Sequence, residues 1–257
     1  METLLISRRD GVVTVTMNRP AKKNAASDVM WQELLETFRA VAANPDDRVM
    51  VLTGAGSDFC SGADLSSKGE SASASVQARM RVITDTCLAL QRIPQPTIAK
   101  VRGVAVGAGC NMALICDLVV ASDSARFSEI FSKRGLSVDF GGTWVLPRLV
   151  GMHRAKELAF LADIISAKDA GEIGLVNRVL PDGEVDAFVD DWAKRLAAGP
   201  PIALAQTKRM LNNSLNATLE QALEDEANTQ ANNFNTRDTA EAMAAFLEKR
   251  EPRFTGR

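Results

Sequence analysis

The sequence has little of what a metal site, a disulfide framework or a membrane anchor requires. Its only histidine, His153, cannot build a metal site alone. No stretch reaches the apolar length of a membrane span, and the first residues lack the basic start and apolar block of an export signal. No two cysteines form a CxxC pair, and all lie in or beside apolar runs: Cys60, Cys87, Cys110 and Cys116. We therefore expect reduced thiols in a soluble, cytoplasmic protein without a metal ion.

Charge limits the partners in the same way. The 257 residues include 30 Lys and Arg against 32 Asp and Glu, a formal net charge of -2. No basic field is present to attract nucleic acid or an anionic membrane, so we expect neither as a partner. The length suits one large domain, or one domain with an appendage, and allows a sizeable core.

Strands and helices alternate along the first part of the chain. Residues that favour strands flank Asp10-Gly11 and predict a hairpin of Thr3 to Arg8 with Val12 to Asn18. Apolar residues at helical spacing predict a helix from Ser27 to the stop at Asn44-Pro45. The next predicted elements are a strand over Val49 to Thr53, a helix over Val76 to Gln91, a strand over Thr97 to Val101, a helix over Ala108 to Ile115 and a strand over Asp117 to Ala121. This alternation predicts an α/β fold with a largely parallel sheet.

The last part of the chain is helical in pattern, and a polar loop interrupts the first part at Leu65 to Ser75. The predicted helices are Glu184 to Ala198, Ile202 to Leu215, Thr218 to Phe234 and Asp238 to Lys249. Two capping boxes are predicted at their starts, Thr218 with Gln221 and Asp238 with Glu241. The third helix carries an apolar stripe that needs a partner surface: Leu219, Leu223, Ala227 and Ala231.

Two glycine-bearing turns follow two of the predicted strands. They read TGAGSDFCSGADL (residues 53–65) and RGVAVGAGCNMALICD (residues 102–117). Small residues let backbone N–H groups point into a shared space, so the two turns could form an oxyanion hole. Tight packing of strand against helix is the alternative. Neither turn has the glycine spacing of a dinucleotide site or the lysine of a phosphate loop.

Five ordered blocks resemble the crotonase (enoyl-CoA hydratase/isomerase) superfamily along nearly the whole chain. They are NRPAKKNA, DFCSGADL, VRGVAVGAGC, FSKRGLSVDFGGTWVLPRLVG and AAFLEKREPRFTGR. The resemblance implies a ββα spiral core, here residues 1–195, and a helical C-terminal region, residues 196–257, that forms homotrimers or hexamers. It also implies acyl-CoA thioester substrates and no cofactor beyond the coenzyme A of the substrate.

The resemblance assigns roles by position. The backbone amides of Ala63 and Ala108 would form the oxyanion hole, and Asp139 matches the acid–base residue of several isomerases of the family. Residues expected to line or bind the substrate are Lys22, Asn24, Ala25, Asp64, Leu65, Asn111, Phe131 and Lys249.

The acids depart from the pattern of the hydratases in this family. Hydratases resemble one another in two glutamates that activate water, and here Asn111 and Phe131 stand at those positions. Neither accepts a proton as a carboxylate does. Glu129 lies two residues before the second position. We do not assign Glu129 to that position, because Gly135 and the Gly141-Gly142-Thr143 step fix the alignment with the family on the far side of it.

Asp139 therefore decides the expected chemistry. Its neighbours Val138 and Phe140 predict partial desolvation and a raised pKa, which suits a group that takes and returns a proton. The alternative is a structural aspartate that binds the amide of Gly141 or Gly142. With Asp139 as the acid–base group, an enoyl-CoA isomerase is favoured. Enoyl-CoA hydration, covalent chemistry at Asp139 and a non-catalytic acyl-CoA binding module remain open.

Overall fold

A computed structural model describes residues 1–65 and 76–257 of the chain. Strands and helices alternate in the first half: β1 (Leu4–Arg9), β2 (Val12–Met17), α1 (Asp28–Ala43), β3 (Val49–Gly54), α2 (Val76–Gln91), β4 (Thr97–Val101), β5 (Val104–Val106), α3 (Ala108–Ile115) and β6 (Leu118–Ser122). The second half holds β7 (Arg126–Ser128), α4 (Gly142–Leu161), β8 (Ile165–Ser166), α5 (Ala167–Glu172), β9 (Arg178–Leu180), α6 (Val185–Ala197), α7 (Pro201–Asn213), α8 (Leu219–Phe234) and α9 (Arg237–Glu248). Of the predicted polar loop, only Leu65 lies within the described residues.

Two sheets organise the core. The larger has the strand order β1-β2-β3-β4-β6-β9 and is parallel except for the β1–β2 hairpin. The smaller has the order β5-β7-β8, in which β5 and β7 run parallel. Asp10 and Gly11, both at positive φ, make the tight hairpin turn that the sequence predicts. The predicted α/β fold with a largely parallel sheet is confirmed.

Helices bury the two faces of the larger sheet. Helix α6 packs Val185 and Val189 against a small cluster that includes Val49 and Ile98. The opposite face carries the main core, where α1, α2 and α3 place fully buried side chains such as Phe38, Leu90 and Met112. Fully burying one such side chain contributes roughly 1.5–3 kcal/mol.

The capping boxes predicted for the late helices have different outcomes. The box of Thr218 with Gln221 is present at the start of α8. The box of Asp238 with Glu241 is wrong, because Thr236 caps α9 by accepting a hydrogen bond from Thr239 N. Asp238 instead lies in the first turn of α9, where its carboxylate accepts hydrogen bonds from the backbone N–H groups of residues 255 and 256 at 2.7 and 2.9 Å.

Helices α7 to α9 leave large apolar side chains exposed. Phe246 and Leu247 are each 80% exposed, and Leu219 of the predicted stripe is 72% exposed. Exposed apolar residues in this number on neighbouring helices are typical of a surface that a partner covers. Elsewhere in the fold, no helix among the described residues has both the length and the apolar character needed to cross a membrane.

Asp238 gives a stability prediction. Asp238→Ala removes an acceptor of two backbone hydrogen bonds from a side chain that is 4% exposed. Because hydrogen bonds to a charged group contribute about 1.5–3 kcal/mol, we expect the free energy of unfolding to fall by roughly that amount in urea titrations. The control Asp190→Ala, at an exposed position on α6, should change it by less than about 0.5 kcal/mol. Equal effects of both substitutions would contradict this role of Asp238.

Candidate active site

Two backbone turns meet at the centre of the site. Isolated parallel bridges join Ala26 to Ala63 and Cys60 to Ala105, so the chain after β3 is held between α1 and β5. A methyl group placed on Gly62 would lie 2.9 Å from the Val106 carbonyl oxygen and 3.8 Å from the Ala108 nitrogen. Only a glycine allows this approach, which brings the peptide before Ala63 next to the start of α3.

The amides of Ala63 and Ala108 are both available to a ligand. At the Ala63 bridge the hydrogen bonds run from Ala26 N to Gly62 O and from Asp64 N to Ala26 O, so the N–H of Ala63 stays outside the ladder. Ala108 is the first residue of α3, and its N–H therefore has no partner within the helix. The positive end of the helix dipole adds to this group. Two such donors side by side suit an oxyanion.

Asp139 lies just before α4, which starts without a side-chain cap. Its backbone carbonyl accepts the N–H of Gly142 at 3.0 Å. Its side chain behaves differently: Oδ1 is buried and has no hydrogen-bond partner. Burial raises the pKa of Asp139 to about 6. The sequence therefore predicted the partial desolvation correctly, and the alternative of a side-chain bond to the Gly141 or Gly142 amide is not what the structure shows.

Asn111 joins Asp139 to a second acid. Its Nδ2 donates one hydrogen bond to the backbone oxygen of Asp139 at 2.9 Å and another to Oε2 of Glu129 at 3.1 Å. Glu129 is 2% exposed, and burial raises its pKa to about 7. Contacts with Cys110 and Asn111 oppose this increase in part, while the charge of Asp139 adds to it. The site thus holds two carboxyl groups whose pKa values lie near neutral pH.

Glu129 is the acid that the alignment with the family left without a role. It follows β7 directly, and the hydrogen bond from Gly107 N to Ser128 O ties this strand end to the start of α3. The signal available in the sequence was one acid between Phe127 and Phe131, both of which are buried. A carboxylate among buried aromatic residues is either paired or perturbed, and here it is perturbed.

The loop predicted to touch coenzyme A packs on the turn that carries Ala63. Lys22 is exposed at the end of a short 3₁₀ turn, and its carbonyl oxygen accepts a hydrogen bond from Ser61 Oγ. Asn24 is fully buried and its side chain binds three backbone groups, those of residues 19, 55 and 58. Its side chain therefore shapes the loop. Ala25 is also buried and offers its carbonyl to Arg19.

The remaining predicted residues do not all lie at the site. Asp64 is buried and forms an ion pair with Arg19 at 2.9 Å, beside the Ala63 turn. Leu65 is 56% exposed at the edge of the described residues. Phe131 is buried with its ring near Gly107. Lys249 is exposed at the end of α9, and no described contact joins it to the site.

Comparison with known proteins identifies the family. A model of the family described as enoyl-CoA hydratase/isomerase matches residues 7–257. The chain belongs to the enoyl-CoA hydratase/isomerase family. It is thus an acyl-CoA processing enzyme of the crotonase type, a family that acts on acyl-CoA thioesters. The resemblance seen in the sequence is confirmed over nearly the whole chain.

Relatives in this family carry names of both reactions. The chain is 37% identical to the 1,2-epoxyphenylacetyl-CoA isomerase of Escherichia coli K12, over 100% of both chains. It is 35% identical to the 2,3-dehydroadipyl-CoA hydratase of the same organism, again over 100% of both. A crystal structure of enoyl-CoA hydratase from Mycobacterium smegmatis superposes with a TM-score of 0.91 at 37% identity and covers 98% of each chain. Family membership therefore does not decide between isomerase and hydratase chemistry, and the residues of the site must be considered.

The perturbed acid predicts an unusual effect on stability. The pKa of Asp139 is raised from 3.8 to about 6, so the folded protein binds more protons than the unfolded chain between these values and loses stability as pH rises through them. Asn cannot titrate. We therefore expect Asp139→Asn to raise the free energy of unfolding at pH 8, on the order of 1–2 kcal/mol after allowance for solvent screening.

Urea titrations at about pH 4 and pH 8 check this expectation, because the gain should be largely absent at the lower pH. The control is Asp190→Asn, at an exposed position, which should change stability by less than about 0.5 kcal/mol at either pH. A loss of stability for Asp139→Asn at pH 8 would show that the carboxylate is stabilised in the folded protein.

Proposed function

We propose that the protein is an enoyl-CoA isomerase that shifts a double bond through a thioester enolate, with Asp139 as the acid–base group. The observation that carries the proposal is the state of this side chain. Asp139 Oδ1 is buried yet accepts no hydrogen bond, and the pKa of the group is raised to about 6. A desolvated carboxylate without a partner is a good proton acceptor near neutral pH.

One acid and two amides suffice for this reaction. Asp139 as the carboxylate removes a proton from the carbon next to the thioester of a 3-enoyl-CoA. The electron pair moves onto the thioester oxygen, where the N–H groups of Ala63 and Ala108 stabilise the negative charge. The protonated Asp139 then returns the proton two carbons further along, which yields the 2-enoyl isomer. Nothing in these steps calls for a cofactor beyond the coenzyme A moiety.

The coenzyme A moiety would follow the loop that carries Lys22. This loop is bonded to the Ala63 turn through Ser61 Oγ and Lys22 O, so a thioester held at the turn has the exposed amine of Lys22 nearby for a phosphate. In this proposal Asn24, Ala25 and Asp64 shape the loop and the turn. Leu65 and Phe131 lie along the acyl group, and Lys249 reaches a phosphate within the chain or from a neighbouring subunit.

Hydration of an enoyl-CoA is the second candidate, and Glu129 is the observation in its favour. This acid supplies a second carboxyl group next to Asn111, with its Oε1 buried and unpartnered. A water that adds to a double bond must be both held and activated, which two acceptors of raised pKa can do. The isomerase remains favoured, because one carboxylate is enough for it and Glu129 is more deeply buried than Asp139.

Proton exchange separates the candidates. With the wild-type protein in deuterated water, a short 3-enoyl-CoA should take up deuterium at the carbon next to the thioester and at the carbon two positions further along. Asp139→Asn should slow this by at least about 100-fold, because the general base is lost. NMR of the substrate measures the exchange, and Asp190→Asn serves as the control that keeps the rate. Deuterium exchange in Asp139→Asn at the wild-type rate would contradict the proposed role of Asp139. Hydration of crotonyl-CoA that requires Glu129 and not Asp139 would favour the hydratase.

We also propose that residues 196–257 hold the chain in homotrimers, or hexamers, through the exposed apolar side chains of α7 to α9. Light scattering should then give a mass of three or six times 27.6 kDa. Phe246→Asp puts a charge on a side chain that is 80% exposed in the single chain, so it should leave a single chain folded and shift the mass downward. A wild-type mass equal to one chain would rule the interface out.

A further inference from the structure

Glu129 is a buried acid that the proton transfer by Asp139 does not use. Its side chain is 2% exposed, and Oε2 accepts the hydrogen bond of Asn111 Nδ2 at 3.1 Å. Among the described residues, no lysine, arginine or histidine forms an ion pair with it. A buried carboxylate without a cation is costly, so the group needs another way to be accommodated.

The polar groups around Asn111 lack hydrogen-bond donors. Three buried oxygens have no partner: Asn111 Oδ1, Glu129 Oε1 and Asp139 Oδ1. Both hydrogens of the Asn111 amide are already used, one by Glu129 Oε2 and one by the Asp139 carbonyl. The Cys110 thiol is a further donor to Glu129, but these three oxygens still lack a hydrogen, so the cluster has more acceptors than donors. A proton on Glu129 converts one acceptor into a donor, whereas a proton on Asp139 would remove the base that the reaction requires.

The groups that face Glu129 in the described part of the chain include no cation, and the hydrogen bonds from Cys110 and Asn111 offset only part of the effect of burial. The thiol of Cys110, on α3, lies against the carboxyl group, and the pKa of this thiol is raised well above its ordinary value by burial and by Glu129. Asp139 adds a like charge on the far side of Asn111. Behind Asp139, the thiol of Cys87 on α2 has its pKa raised to about 11 by burial and by Asp139. Neither thiol is ionised near neutral pH, and none of these groups is a cation.

We infer that Glu129 is a positioning residue, which as the neutral acid orients the Asn111 amide beside Asp139 without placing a second negative charge at the first turn of α3. The inference rests on the proposed isomerase for its effect on rate, although the protonation state is independent of it. Asn111 fixes the loop of Asp139 through the carbonyl of that residue. The neutral acid thus supports the base while it leaves the oxyanion hole to the substrate.

A charge on Glu129 would oppose the reaction. Glu129 contacts Cys110, two residues after Ala108, so an ionised Glu129 would repel the enolate that forms at the Ala63 and Ala108 amides. Burial raises the pKa of Glu129 to about 7. The exchange rate should therefore rise as Asp139 ionises and fall again as Glu129 ionises at higher pH.

The experiment compares the wild-type protein with Glu129→Gln, which has the same shape and stays neutral, and with Glu33→Gln. Glu33 serves as the control, because hydrogen bonds from Thr3 and from the backbone of residue 2 lower its pKa and it lies on α1 against the residues before β1. Carbon-13 NMR of the side-chain carboxyl groups follows each acid, and the signal lost in Glu129→Gln identifies Glu129. Substrate proton exchange is measured over the same pH range.

The inference predicts three results. The Glu129 signal titrates near pH 7 in the wild type. The Asp139 signal shows a second, smaller step at that pH, and the step is absent in Glu129→Gln and kept in Glu33→Gln. The fall in exchange rate above that pH disappears in Glu129→Gln alone. A Glu129 signal that titrates near its ordinary pKa of 4.5 would overturn the inference, and so would an Asp139 titration that Glu129→Gln leaves unchanged.

The two proposals fail separately. Absence of proton exchange in the wild-type protein removes the isomerase, while the two NMR titrations still decide the state of Glu129. Normal exchange with a high-pH fall that Glu129→Gln retains removes the role of Glu129 and leaves the isomerase in place.

Discussion

The site depends on the close approach of two backbone turns, one after β3 and one at the start of α3. Gly62 lies so near the Val106 carbonyl oxygen that a methyl group could not be added without movement. Gly109 is packed as closely, because a methyl group there would lie 2.8 Å from the Cys60 sulfur. This close packing leaves two unbonded amides near each other, and the proposed oxyanion hole requires that these glycines have no side chains.

Close to this backbone site lie Glu129 and Asp139, and in the part of the chain that the structure describes neither forms an ion pair with a cation. Asn111 is the connector, since its two amide hydrogens bind Glu129 and the carbonyl of Asp139. Burial raises the pKa of both acids toward neutral pH, and the charge of Asp139 adds to the increase for Glu129. Two buried carboxyl groups of raised pKa lower the stability of the folded chain at neutral pH, and the proposed proton transfer would account for this cost.

Much of the fold could be predicted from the sequence, because the hairpin at Asp10-Gly11 and the helices α1, α2 and α3 depend on local patterns of turn residues and helical spacing. The strands β5, β7, β8 and β9 were missed, since each has only two or three residues and exists through pairing with distant segments. The same reason explains why the position of Glu129 in the site was not predicted. Its direction is fixed by the pairing of β7 with β5, which no local pattern reveals. Helix α4 was not predicted, because it contains Pro147 and a break at Gly151.

The position of Asp139 relative to a bound thioester tests the central claim most directly. A crystal structure with a short, unreactive 3-enoyl-CoA thioether or amide analogue would show it. For an analogue that keeps the carbonyl, the proposed chemistry predicts that its oxygen lies about 2.7–3.1 Å from the nitrogens of both Ala63 and Ala108. The Asp139 carboxylate should then lie within about 3.5 Å of the carbon next to the carbonyl. A carbonyl oxygen bound away from these two amides, or a carbon beyond the reach of Asp139, would contradict it.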